Sequence, residues 1–287
     1  MAASRLIKRR IKSAKNISQI TKAMEMVSAS KMRRAQSQAL ASRPYAEKLS
    51  EMLRIASQYT SQSAHPLLKQ NDSPKTLLVL ISSDRGLTGG LNTNLFRAAL
   101  EFSKDKNVTL ITVGKKAREF AVKTGLTILG EFNNLPEKIS FEDALPIAQL
   151  AMQSFLTGEF GQVHLMHMRF ITTLSQKVEM QQVLPLVSEL IEQPAELISA
   201  KSDYVFEPSP SEVLDFLLPY YIELEVYQTM LDAKASEHSA RMVAMKNASD
   251  NAKDVVSELQ LIYNKSRQAG ITRELNEITT AALSVAG

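Results

Sequence analysis

The stretch LLPYYIELEVYQTMLDAKASEHSARMVAMKNASDNAKDVVSELQLIY, Leu217–Tyr263, carries a single ladder of positions stepping alternately by four and three. Its rungs are Leu217, Tyr221, Leu224, Gln228, Leu231, Ala235, His238, Met242, Met245, Ser249, Ala252, Val256, Leu259 and Tyr263. Most are apolar or small, and many of the residues between them are polar. No proline follows Pro219, and between Pro219 and the terminal Gly287 the only glycine is Gly270. A seven-residue repeat sustained this long predicts a helix that supercoils left-handed on a partner helix. Residues 209–286 as one helix would make a rod of roughly 115 Å. Reach is therefore part of what this chain is expected to provide.

The partner is sought first at the other end. Residues 1–58 contain no glycine, and Ile7, Ile11, Ala14, Ile17, Ile20, Met24 and Val27 fall on one face at three- and four-residue steps. Pro44 predicts a kink or break in that helix. Residues 59–75 are polar and read as a linker.

The period then changes. Aliphatic runs at Thr76–Ser83, Val108–Gly114 and Leu126–Gly130 read as strands. They alternate with amphipathic helices at Leu91–Lys104, Lys115–Thr124 and Phe141–Leu156, which predicts parallel pairing with helices on the faces of a sheet. Gln162–Phe170 and Lys177–Leu186 read as a hairpin, and Ser188–Pro210 as a connector. The expected fold is a Rossmann-like α/β domain (76–206) flanked by N- and C-terminal helices (1–58 and 207–287) that form a long antiparallel coiled coil.

Composition removes several function classes. The chain has no cysteine, which excludes disulfides, thiol nucleophiles and cysteine metal sites. Its longest purely aliphatic run, Leu77–Ile81, is far short of the ~20 residues a membrane helix needs. The basic N-terminus lacks the apolar core of a secretory signal. Residues 1–34 carry ten Lys/Arg against Glu25 alone, a field that seeks an anionic partner. No aromatics are interleaved for stacking on single-stranded nucleic acid, and the charges share their helix with an apolar seam, so an acidic protein surface is favoured.

Ser82-Ser-Asp-Arg-Gly-Leu-Thr-Gly-Gly-Leu-Asn92 lies between the first strand and first helix, where nucleotide-binding folds hold phosphate. Its spacing fits neither G-x-G-x-x-G nor G-x-x-x-x-G-K-[ST], which favours a structural turn. His164 and His167, three apart on a strand, point to opposite faces and cannot share a metal. His238 sits on the ladder as a packed polar residue. No catalytic constellation stands out, and no cofactor is expected. Two other readings stay open: a nucleotide-binding α/β protein with a coiled-coil arm, and a basic coiled-coil nucleic-acid binder.

Three signatures in order resemble the gamma subunit of F-type ATP synthases. They are Ile11–Ala35 (IKSAKNISQITKAMEMVSASKMRRA) with Ser42–Ala46, the Ser82–Asn92 loop, and Ser236–Ala252 with Tyr263–Ile278. The resemblance covers nearly the whole chain. It implies a non-catalytic central rotor shaft whose coiled coil enters a ring of alpha and beta subunits. The α/β domain would sit below with the epsilon subunit on the membrane c-ring. It further implies that Met24, Lys31 and Arg34 meet acidic lever loops of the beta subunits. Arg241, Arg267, Gln268, Thr272 and Glu277 match positions associated with coupling of shaft to ring. No nucleic-acid partner is implied. Membrane association would come only through partners, on the cytoplasmic side of a bacterial inner membrane, since the first helix starts almost at Met1 without a transit peptide. Thr88 stands where many members have cysteine, and the chloroplast redox insertion is absent, so thiol control is not expected.

Overall fold

The computed structural model describes residues 2–59, 65–186 and 206–286, without the side chains of residues 2–4, 43, 58 and 282–286. The elements are α1 (Ala2–Gln58), a 3-10 turn (Pro66–Leu68), β1 (Lys75–Ile81), α2 (Leu91–Ser103), β2 (Asn107–Val113), α3 (Lys115–Thr124), β3 (Thr127–Phe132), a 3-10 turn (Phe141–Asp143), α4 (Leu145–Leu156), β4 (Gln162–Phe170), β5 (Gln176–Leu184) and α5 (Pro210–Ala286). They form two compact units, residues 1–28 with 241–287, and residues 29–240.

The larger unit is built on a five-stranded sheet of order β3-β2-β1-β4-β5. β1 pairs in parallel with β2 and β4, β2 pairs in parallel with β3, and β5 returns antiparallel to β4 as the expected hairpin. The strands alternate faces residue by residue. Leu77, Val79, Ile81, Val163 and Leu165 pack with Ile147 and Ala151 of α4, Leu49 and Leu53 of α1, and Leu218 and Ile222 of α5. Leu78, Leu80, Leu110, Met166 and Met168 pack with Leu95 of α2 and Ala117 and Ala121 of α3. Burial on both faces explains why β1 reads as a continuous aliphatic run rather than an alternating one.

Three expectations are corrected in this unit. α1 is not broken at Pro44, which lies inside a continuous helix. An interior proline costs about 3 kcal/mol through its missing donor and ring clash. Here the helix beyond it buries Leu49, Leu53 and Ala56 in the core, each leucine worth ~1.5–3 kcal/mol, which offsets the loss. The reading of residues 59–75 as plain linker misses a 3-10 turn whose Leu67 is 2% exposed; residues 60–64 lie outside the described residues. The single helix expected over Phe141–Leu156 divides into a 3-10 turn and α4. Asp143 Oδ2 accepts from the Ser140 amide (2.7 Å) and hydroxyl (2.9 Å), which caps the start of that turn. The connector at Ser188–Pro210 falls mostly outside the described residues; its last residue opens α5.

In the smaller unit α1 and α5 pair antiparallel. Ser18 faces Ser249, and Arg9, Arg10, Ser13, Ala14 and Ile17 line one groove with Val255 and Leu259. The α5 ladder holds: Met245, Ser249 and Ala252 are buried and Val256, Leu259 and Tyr263 half-buried. Beyond Ala14 the expected α1 face holds only at Met24, which is half-buried. Its seam continues through Ser18, Thr21 and Ser28, one step round from the expected Ile17, Ile20 and Val27, which are 53–59% exposed. The cause is close approach. Ser18 Oγ donates to the Ser249 carbonyl (3.4 Å) and Ser249 Oγ to the Ser18 carbonyl (3.3 Å), a spacing that small side chains permit. Thr21 returns its hydroxyl to the Ile17 carbonyl at 2.9 Å, so no polar group is left hanging in the seam. Overpacking this seam is costly: Ser249→Leu is expected to destabilise the isolated chain by about 2 kcal/mol in urea unfolding followed by circular dichroism. Ile20→Ser on the outer side should stay within about 0.5 kcal/mol of the parent. The reverse ranking would restore the seam read from the sequence.

Candidate functional site

The glycine loop between β1 and α2 is the place to look for a nucleotide, because the carboxyl edge of a parallel sheet and the helix N-termini beside it favour anions. Beside that loop, the N-terminus of α3 is filled from within. Asp84 Oδ1 accepts from the Lys115 amide at the start of α3 (3.0 Å), and Ser82 Oγ accepts from the Ala117 amide (2.7 Å). The orphan donors and positive end of α3 thus already hold a carboxylate and a hydroxyl. The rest of the loop is tied to α2. Asn92 Nδ2 donates to Ser83 Oγ (2.8 Å) and to Thr88 Oγ1 (3.5 Å), and Ser83 Oγ donates to the Arg85 carbonyl (2.8 Å). Thr88, 4% exposed, is a packed hydrogen-bonding residue of the turn.

The histidines follow the same pattern. His164 stands edge-on to Phe102, with ring centroids 5.2 Å apart. His167 lies 3.6 Å from Glu179 Oε2 on the neighbouring strand. Burial holds both rings down to about 4, with Lys106 and Arg169 adding to the effect respectively. Both are neutral core residues at ordinary pH. Among the described residues no group of three or more His, Cys, Asp or Glu could hold a metal ion.

The residues singled out on the helices are not brought together into one cluster. Met24, Arg241, Arg267, Gln268, Thr272 and Glu277 belong to the smaller unit, and Lys31 and Arg34 to the larger. Met24 is half-buried and Arg34 exposed, while Arg241 is 9% exposed. Arg267, Gln268, Thr272 and Glu277 are all exposed, and Thr272 and Glu277 share one side of α5 with Arg273 and Asn276. Lys31 is engaged: its ammonium lies 2.7 Å from Glu137 Oε2. Glu137 Oε1 in turn accepts from His238 Nε2 at 3.0 Å. Sequence reasoning missed Glu137, since a pairing across 106 residues leaves no periodic trace.

Two surface properties of the smaller unit call for an occupant. Ile17, Ile20 and Val27 on α1, and Val255, Leu261, Ile262, Ile271, Leu275 and Ile278 on α5, are 45–72% exposed. Helix faces this apolar mark sites of association. The first turn of α1 carries no acidic residue, and Arg5, Lys8, Arg9 and Arg10 crowd the end where the helix dipole disfavours cations. That charge is placed against local helix stability, so it answers to something outside the helix. No described helix is long and apolar enough to cross a membrane.

Comparison with known proteins gives the family. A family model described as ATP synthase matches residues 3–285. The ATP synthase gamma chain of Trichlorobacter lovleyi is 42% identical over 295 residues, covering 100% of each chain. That of Herpetosiphon aurantiacus is 43% identical over 301 residues, covering 99% of each. Among solved structures, a chain of the Tetrahymena thermophila mitochondrial ATP synthase central stalk and c-ring superposes with a TM-score of 0.62 at 28% identity, over 80% of this chain and 99% of that one. A chain of the Euglena gracilis mitochondrial enzyme shares the fold at a TM-score of 0.70 and 22% identity, over 99% and 95%. By full-length identity to these relatives and by the family model, the chain belongs to the ATP synthase gamma chain family.

Proposed function

We propose that this chain is the central shaft of a rotary ATP synthase, carrying torque between an ion-driven membrane ring and catalytic subunits that surround the helix pair. The observation that carries the reading is the uncovered apolar stripe Ile17–Ile20–Val27, more than half exposed beside a seam already closed by Ser18 and Ser249. A pair of helices with its own seam satisfied and a further apolar face outside it is built to sit inside a sleeve. The basic run of α1 supplies long-range attraction to acidic loops on that sleeve. The partners on this reading are alpha and beta subunits around the helix pair, and an epsilon subunit and c-ring beside the α/β domain. Met24, Lys31 and Arg34 would face the beta loops, and Arg241, Arg267, Gln268, Thr272 and Glu277 would couple α5 to the ring.

The chain itself would be non-catalytic. Asp84 and Ser82 fill the N-terminus of α3 beside the glycine loop, and His164 and His167 are buried and neutral. Attachment to the cytoplasmic side of a bacterial membrane would be peripheral, through partners. The test is reconstitution. Alpha and beta subunits mixed with this chain should hydrolyse ATP at least about tenfold faster than without it, a change of ~1.4 kcal/mol in the barrier. The isolated chain should bind no labelled ATP in equilibrium dialysis. An alpha–beta mixture indifferent to the chain removes the shaft reading, and saturable ATP binding by the chain alone revives the nucleotide-binding alternative.

A further inference from the structure

The segment joining β3 to α4 is held rigidly enough to aim a side chain. Asn134 adopts a left-handed φ of 58°, and its amide lies 3.4 Å from Asp84 Oδ1. Ile139, two residues past Glu137, is 2% exposed and packed in the core, and Ser140 and Asp143 close the following turn. Between these anchors Glu137 reaches the helices. Its two oxygens divide between α1, at Lys31, and α5, at His238, so one carboxylate joins three elements of the larger unit.

The charges around it are one-sided. Lys31 comes from α1, and His238 and Lys234 from α5, with Lys234 shared at 3.6 Å with Glu237. Burial by itself would raise the Glu137 carboxyl. The Lys31 hydrogen bond and the charges of His238, Lys31 and Lys234 outweigh it and hold the group below the usual range. Glu137 is therefore ionised at neutral pH. Lys31, one-third exposed, already has a carboxylate where an acidic partner would put one.

We propose that Glu137 is an internal competitor for the acidic partner surface at Lys31, holding the ammonium within the chain so that a beta-subunit loop engages it only by displacing Glu137. This rests on the shaft reading above. The contact is a positioning device: it sets how firmly α1 grips the ring without touching nucleotide. His238 Nε2, 3.0 Å from Glu137 Oε1, gives the released carboxylate a second partner to stay with, which lets the exchange proceed without leaving Glu137 unpaired.

The experiment uses the full chain assembled with alpha and beta subunits and follows its exchange with labelled free chain. Glu137→Gln is expected to slow dissociation about threefold at low salt, the scale of one partly exposed ion pair, with the difference closing at high salt. In a Lys31→Gln background Glu137→Gln should change nothing. Glu137→Asp keeps the charge and should behave like the parent. Equal rates for parent and Glu137→Gln overturn the proposal, as does a slowing that persists without Lys31, or one that Glu137→Asp reproduces. If the parent chain itself fails to join the subunits, the shaft reading fails and takes this one with it, an outcome distinct from any of those three.

Discussion

Gly161→Ala is expected to cost the α/β domain about 3 kcal/mol, although it adds one methyl group and requires no unusual backbone angle. Gly161 precedes β4, where the chain crosses the segment leading into β1. A β-carbon there would overlap the Ser73 carbonyl oxygen and lie 3.0 Å from the Asn71 oxygen and 3.2 Å from the Ser73 carbonyl carbon. These are backbone atoms, so no rotamer change relieves the clash. Neither can the strands part cheaply. The Gly161 amide donates to the Lys75 carbonyl (2.9 Å), Ser73 Oγ to the Glu159 carbonyl (2.6 Å), and Asn71 Nδ2 to the Phe160 carbonyl (3.2 Å). Relief would break this set and the first β1–β4 pair, Thr76 with Gln162. Gly125→Ala is the control. That glycine ends α3 at φ 72° with open space around its β-carbon, so its cost is conformational alone, about 1 kcal/mol. Urea unfolding of both variants checks the ranking. A Gly161→Ala no worse than Gly125→Ala would mean the crossing is looser than its hydrogen bonds imply.

What the sequence made legible follows from which constraints are local. β1 and the α5 ladder were readable because each buries a pattern with a fixed period, and the helix pairing followed from two such patterns in one chain. The α1 seam was readable to Ala14, and past it only at Met24. Beyond Ala14, hydrophobicity pointed to Ile17 and Ile20, while the packing chose Ser18 and Thr21 because serine lets the backbones approach. A stripe intended for a partner outside the chain is indistinguishable by period from one intended for the chain's own core. Pro44 misled for a related reason: its local cost is real, and the burial that offsets it comes from residues of β1, α4 and α5 far away in sequence. The glycine loop was read as a turn from its spacing, and Asn92 ties it to α2. The capping of α3 by Asp84 and Ser82 required the structure, as did Glu137.

Acid should destabilise the larger unit in a defined window, and His167→Gln should remove a large part of that loss. His167 is 3% exposed, and burial, with Arg169 nearby, lowers it from 6.5 to about 4. A histidine held neutral in the folded chain gains its proton first when unfolded. Its contribution is full above pH 6.5 and is lost as pH falls from there toward 4, about 3 kcal/mol in total. His164, lowered in the same way, acts in the same direction. Glu225 acts in the opposite one. Burial raises its carboxyl against the hydrogen bonds of Tyr221 and Gln181, so the folded chain takes up that proton early and is relieved as pH falls. The net acid limb is the histidine loss less this relief, which is why the comparison must be a difference between variants. Urea unfolding of parent and His167→Gln from about pH 7 to about pH 4.5 should give curves that converge by ~2.5 kcal/mol over that range. Parallel curves would mean that burial leaves the His167 ring unshifted, and a parent that gains on the variant as pH falls would mean that the folded chain holds the ring protonated, with Glu179, 3.6 Å away, as its charged partner.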